Sequence, residues 1–181
     1  MDTKKQFEQV IAICRSLFEK KLEDYGASWR ILRTQSVTDQ IYIKACRIRT
    51  LETTGISKID EDIHSEFIAI VNYGVIGLIQ FHCGFTDMVD IQPAEALKLY
   101  DKYITESKEL MYNKNHDYNE AWRNMRISSY TDLILMKINR TKQIENHQGR
   151  TVASEGIDAN YMDMINYSLF ALIKLEHGED E

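Results

Sequence analysis

The sequence repeats itself. Residues 23–33 read EDYGASWRILR and residues 116–126 read HDYNEAWRNMR, so an Asp-Tyr pair, a Trp-Arg pair and a further Arg recur at identical internal spacing. Sliding the chain by 93 positions pairs Leu17–Glu52 with Leu110–Glu145, and 14 of those 36 pairs are identical. Chance would give about 2, taking roughly one match in sixteen for ordinary compositions. The repeat also pairs Phe7 with Tyr100, Ile11 with Ile104 and Phe18 with Met111, and after a one-residue insertion VNYGVIGLI with INYSLFALI. A duplication of this length limits the fold to two similar units sharing a core.

Each unit reads as three helices. Phe7, Val10, Ile11, Cys14, Leu17, Phe18 and Leu22 recur at three-and-four spacing, which is one apolar helix face. Gly26 ends that helix. A second begins near Ser36, with Ser36 and Asp39 (Ser129 and Asp132 in the second copy) as a capping pair, and carries Val37, Ile41, Ala45 and Ile48 on its stripe. The third, from about 60 to 81, is apolar on nearly every side after Phe67. The second copy predicts helices from about 93 to 115, 129 to 145 and 157 to 176, with Pro93 at a first helical position. The expected organisation is a first repeat over 1–82, a joint over 83–92 and a second repeat over 93–181, packed about a pseudo-two-fold axis as one all-α helical bundle.

One Pro, eight Gly and 44% hydrophobic residues suit such a bundle. A net charge of -6 argues against a duplex nucleic-acid binder, although a local basic cluster can still grip a mononucleotide. Three cysteines at no metal-like spacing and a charged N-terminus without a signal-peptide core point to a cytoplasmic protein. The longest apolar run, FIAIVNYGVIGLIQF, contains Asn72 and Gln80 and is short for a bilayer, so no membrane partner is expected. A homo-oligomer is compatible with these features.

The two copies exchange apolar residues freely and keep polar and aromatic ones, among them Lys21/Lys114, Asp24/Asp117, Tyr25/Tyr118, Trp29/Trp122, Arg30/Arg123, Arg33/Arg126, Thr38/Thr131, Lys44/Lys137, Arg47/Arg140 and Glu52/Glu145. Core packing does not demand that pattern. A ligand site in each half would produce it, and so would a buried polar network fixing how the helices meet. Lys44 and Arg47, like Lys137 and Arg140, lie three apart on one helix face, and with Arg30 or Arg123 nearby they suit a phosphate. Trp29 and Trp122 suit core anchors first and surfaces for a base second. Asp24 and Asp117 suit either a bidentate bond to Arg or a ligand.

The segment KNHDYNEAWRNMR, followed by SSYTDLILMKINRTKQIE and EGIDANYMDMINYSLFALIKL, resembles the first nucleotide modification associated domain, a small all-helical family of bacteria and phages. The likeness lies in its "DYG..W" segment, its "K..R" helix and its closing "D..NY" helix. It covers the second copy and, more weakly, the first. Asn119 stands where the family has Gly, and Gly26 matches it. The resemblance implies a link to nucleotide metabolism or modification, with a nucleotide or other phosphate-bearing small molecule as partner and Asp24, Tyr25, Trp29, Arg30, Lys44, Arg47, Asn72, Asp117, Tyr118, Trp122, Arg123, Lys137, Arg140 and Asn166 as ligand-binding candidates.

A more distant likeness, to MazG and dimeric-dUTPase-type pyrophosphohydrolases, implies magnesium held by helix-borne carboxylates. Glu155, Asp158, Asp163 and Asn166 fall on an arc of roughly 140 degrees of one helix. Asp158 and Asp163 are the metal-ligand candidates. The first copy has Glu61, His64, Ala69 and Asn72 at those places, with Glu66 opposite Asn160. Two functional classes follow: a nucleotide-binding protein, with magnesium-dependent phosphohydrolysis as its catalytic form, and a non-catalytic helical interaction module whose polar residues lock helix contacts.

Overall fold

A computed structural model describes residues 2–56 and 62–179. Six long helices and two single 3-10 turns are present, with no strand among the described residues. Helix α1 spans Thr3–Tyr25, α2 Thr34–Thr54, α3 Ile63–Cys83, α4 Pro93–Tyr118, α5 Ile127–Asn146 and α6 Ile157–His177. The 3-10 turns, Ser28–Ile31 and Ala121–Asn124, join α1 to α2 and α4 to α5. The all-α duplicated bundle expected from the repeat is therefore the observed fold.

The central contact is α3 on α6. Their all-round apolar sequences leave no face for water, and from Phe67 to Ile79 and from Tyr161 to Ile173 nearly every side chain is buried. Close approach comes from small residues: an added Cβ at Gly74 would lie 2.6 Å from Ile165 Cγ1, and one at Gly77 would lie 2.8 Å from the Tyr161 ring. Helix α2 packs on α3, α5 on α6, and α2 on α5, while α1 and α4 lie against each other and against both central helices. The composition of α3 would suit a bilayer, but most of its apolar surface is covered within the bundle.

Ion pairs across the repeat boundary obey the same two-fold relation. Arg15 binds Asp101 at 2.7 Å, and the equivalent Lys108 binds Glu8. Arg49 reaches Asp132 at 2.6 Å, and the equivalent Lys142 reaches Asp39 at 3.3 Å. Exposed pairs of this kind contribute about 0–1 kcal/mol each, so they set register more than stability.

Helix boundaries depart from expectation at α2 and α5. These begin at Thr34 and Ile127, after Arg33 and Arg126 in extended backbone, and neither has a side-chain cap bond. Ser36 and Ser129 therefore lie inside the first turns and Asp39 and Asp132 in the second, where the two Asp residues are cross-repeat ion-pair partners. A capped start occurs instead at α3, where Asp62 accepts from the Ser65 N–H at 2.9 Å. That bond holds its carboxyl below the ordinary range. Residues 60 and 61, where the third helix and its Glu61 were expected, lie outside the described residues. After α1, Gly26 takes φ 68°, and Asn119 after α4 takes φ 49° with ψ 45°, the left-handed region that Asn tolerates.

Candidate functional site

The cations of α2 and α5 meet carboxylates, but from different helical turns. In the second half Asp163 of α6 lies 2.8 Å from Lys137 Nζ and 3.1 Å from Lys114 Nζ. In the first half Ala69 occupies the Asp163 position, and the carboxylate comes from Glu66, one turn earlier. Glu66 is buried, 2.6 Å from Arg47 and 3.5 Å from Lys44. Each half thus sets a buried acid against a lysine of α2 or α5, Lys44 or Lys137, as a charge taken from water requires. Burial works against the Lys114 ammonium, but Asp163, and more weakly Glu155, outweigh it and raise its pKa.

One consequence is an asymmetry at the second cation. Arg47 is engaged by Glu66, whereas Arg140 is exposed and makes no ion pair among the described residues. It lies on a cleft of about 1250 Å³ between α5, the 147–155 loop and the start of α6, together with Lys137, His147, Arg150 and Glu155. Asn139, Gln143, Asn146, Gln148, Thr151, Ser154 and Asn160 add amides and hydroxyls. Tyr167 has its pKa raised by burial and by Asp163, with Lys114 and Arg140 pulling it down, so Arg140 also feels this charge cluster.

Most other candidates make bonds within the fold. Asn72 donates to Cys14 O at 3.1 Å and accepts from the Tyr100 hydroxyl at 2.8 Å. Asn166 donates to Ser107 O at 3.0 Å, the symmetry-related bond, but its Oδ1 is buried without a partner among the described residues. The repeat places Phe7 opposite Tyr100, and phenylalanine has no hydroxyl to donate. Arg30 is buried and bonds Asp90, Gln80 and Gly84 O, tying down the joint between repeats. Arg123 bonds Glu120, Glu179, Thr3 and Gln6, and stacks over Trp122 at 4.4 Å.

The two arginines diverge because of a neighbour the sequence patterns did not single out. Gln80 donates to Arg30 O and Leu32 O, and its other atom accepts from Arg30. At the equivalent place Lys174 donates to Arg123 O and Met125 O at 3.2 and 2.5 Å. An ammonium has no acceptor, so Arg123 turns elsewhere.

Trp122 is buried with Phe170 stacked on it at 4.6 Å, while Trp29 and Tyr25 line a separate cavity. Asp24, Asp117 and Tyr118 are exposed, and among the described residues Asp117 pairs with its neighbour His116 alone. Asp117 therefore does not join Lys137, Arg140 and Asp163. Asp158 lies in the first turn of α6 and makes no bond with Asp163. Among the described residues no three His, Cys, Asp or Glu side chains gather as a metal site.

The model of the family described as nucleotide modification associated domain 1 matches this chain twice, over residues 21–81 and 114–175. The chain belongs to this family, in tandem. No curated protein and no solved structure matches it. Both matched regions run from the end of α1 or α4 to the end of the NY helix. They contain Lys21 and Lys114, whose importance was signalled only by identity between copies; Lys114 proves to be a partner of Asp163. In the 147–155 loop the sequence singles out only Glu155, as part of the α6 arc, and it lies before α6, which begins at Ile157; Arg150 and His147 carry no signal, since the first copy has no counterpart to them within the aligned stretch.

Proposed function

We propose that this chain binds a phosphate-bearing small molecule of the nucleotide type, with its phosphate in the cleft beside α5. The observation that carries the reading is Arg140: an exposed guanidinium on the cleft, on the K..R helix, without the acid that engages its first-half counterpart. A guanidinium free of a carboxylate is preorganised for a bidentate phosphate contact. Arg150 and the amides and hydroxyls nearby supply further donors. The family's description supports a nucleotide as the class of ligand.

Binding is favoured over magnesium-dependent hydrolysis. Both Asp163 oxygens face ammonium groups, so a metal there would have to displace Lys137 and Lys114, and Asp158 alone is a poor cage for a hard cation. The donors described do not fit a magnesium site. A purely structural reading draws support from the Asn72, Asn166, Arg30 and Arg123 bonds, which lie within the fold.

Thermal-shift titration with inorganic phosphate and nucleoside mono-, di- and triphosphates, with and without magnesium, tests the proposal, since a ligand selective for the native state raises its melting temperature. Arg140→Ala should weaken binding about tenfold or more, the effect of one charge-assisted bond, while the unliganded melting temperature stays near wild type. No stabilisation by any phosphate compound, or equal affinity of the variant, defeats it.

A further inference from the structure

A second cavity, of about 290 Å³, opens in the first half between the end of α1, the Ser28–Ile31 turn and α3, and shares no lining residue with the α5 cleft. Lys21, Tyr25, Trp29, Ala69, Tyr73 and Ile76 line it. Its volume is at the small end of the roughly 300–1,000 Å³ usual for small-molecule sites. Lys21 is exposed and makes no ion pair among the described residues. The Asn72 amide, also in the lining, already bonds Cys14 and Tyr100. The cavity therefore offers an indole, two phenol rings and one uncommitted cation.

The duplication shows what belongs against such a set. At the equivalent place in the second half, Trp122 and Lys114 correspond to Trp29 and Lys21. There the Phe170 ring lies on Trp122 at 4.6 Å and 10°, and the Asp163 carboxylate accepts from Lys114 at 3.1 Å. The first half has Ile76 for Phe170 and Ala69 for Asp163. One half thus carries an aromatic ring and an anion as parts of its own chain, and the other has neither at those places and leaves an opening.

We propose that the first-half cavity binds a small planar aromatic molecule bearing one anionic group, its ring against Trp29 and its anion on Lys21. Ring stacking and charge pairing then replace the Phe170 and Asp163 contacts from outside. Glu66 serves Lys44 and Arg47 and makes no ion pair with Lys21, so the first half has a Trp and a Lys without the ring and the acid that meet their counterparts, and that is the feature the proposal explains. It does not depend on the phosphate reading of the α5 cleft.

The two indole N–H signals of the ¹⁵N-labelled full chain provide the test. Indole-3-acetate and phenylacetate should shift the Trp29 signal saturably and leave that of Trp122 in place. The neutral indole-3-acetamide should bind about tenfold more weakly, as loss of one charge-assisted contact implies. Lys21→Gln should remove that preference for the acid, and Arg140→Ala should leave it unchanged. Ala69→Asp with Ile76→Phe, which restores the second half's own contents, should abolish binding. If that pair does not fold, Ile76→Phe alone is the steric test. A nucleoside monophosphate that shifts Trp29 with the same Lys21 dependence supports the site with phosphate as its anion. A Trp29 signal unmoved by every probe overturns the proposal, as does equal binding of acid and amide, or undiminished binding by the filled variant.

Discussion

Removing the acid that neutralises Lys137 separates its structural role from its effect on the cleft. Asp163 has a side chain 10% exposed, Lys137 12% and Lys114 44%. Breaking a fully buried pair costs about 3–5 kcal/mol, because a charge is left without a partner. Here Lys114 keeps its water and Lys137 lies on an open cleft, so the expected loss for Asp163→Ala is smaller, about 2–3 kcal/mol in urea denaturation. The first half then specifies the remedy. Its acid, Glu66, stands where the second half has Asn160, and it holds both Lys44 and Arg47. Adding Asn160→Glu to Asp163→Ala should therefore recover about 1–2 kcal/mol, less the small loss of the Asn160 bond to Gly156 O.

The same double variant should move binding the other way. A carboxylate at position 160 would draw Arg140 in as Glu66 draws Arg47, removing the unpaired guanidinium from the cleft. Stability recovers while phosphate affinity falls below that of Asp163→Ala alone. Urea denaturation and a phosphate titration on the same samples measure both. The reasoning is refuted if the double variant is no more stable than the single one, or if its phosphate affinity rises.

The dyad was legible because helix-face periodicity and the repeat act together: both copies bury the same stripes, and the third helix of each has no polar side. What identity between copies could not reveal is which partner each preserved residue meets. Asp39 and Asp132 look like caps but pair with Lys142 and Arg49, which differ in type and so left no repeated signal. Arg30 and Arg123 are identical, yet one neighbour, Gln80 against Lys174, sends them to different partners. The acid of the cation cluster moved by one turn, from Glu66 to Asp163, keeping its function while leaving its column. Reading columns alone makes Asp163 a metal-ligand candidate and Glu66, opposite Asn160, a partial substitute for it in the first half. The pairing distances make both of them counter-ions.

At Gly77, Ala would place its Cβ 2.8 Å from Tyr161 Cε1, and that ring is held by its hydroxyl to Thr38 at 2.7 Å and to Thr34 O at 3.0 Å. Overpacking of about 1–3 kcal/mol should exceed the helix-propensity gain of about 1 kcal/mol, so a lower urea midpoint is expected and a raised one would refute the close-packing account. The same polar knot gives a pH dependence. Burial raises the Glu145 carboxyl above its ordinary value; the Thr38 hydroxyl bond at 3.0 Å pulls it back, Asp39 adds to the rise and Lys142 opposes it. A folded-state pKa above the unfolded one means that ionisation disfavours the fold. The penalty is absent below the ordinary glutamate value, grows as pH rises from there through the raised one, and is complete above it. Glu145→Gln keeps an acceptor for Thr38 and carries no charge. It should be more stable than wild type at neutral pH, and the advantage should vanish on acidification below the ordinary glutamate value, where both side chains are neutral. Denaturation curves across that range decide it: parallel pH profiles, or a variant weaker at neutral pH, would mean that Lys142 and Thr38 together outweigh burial at this position.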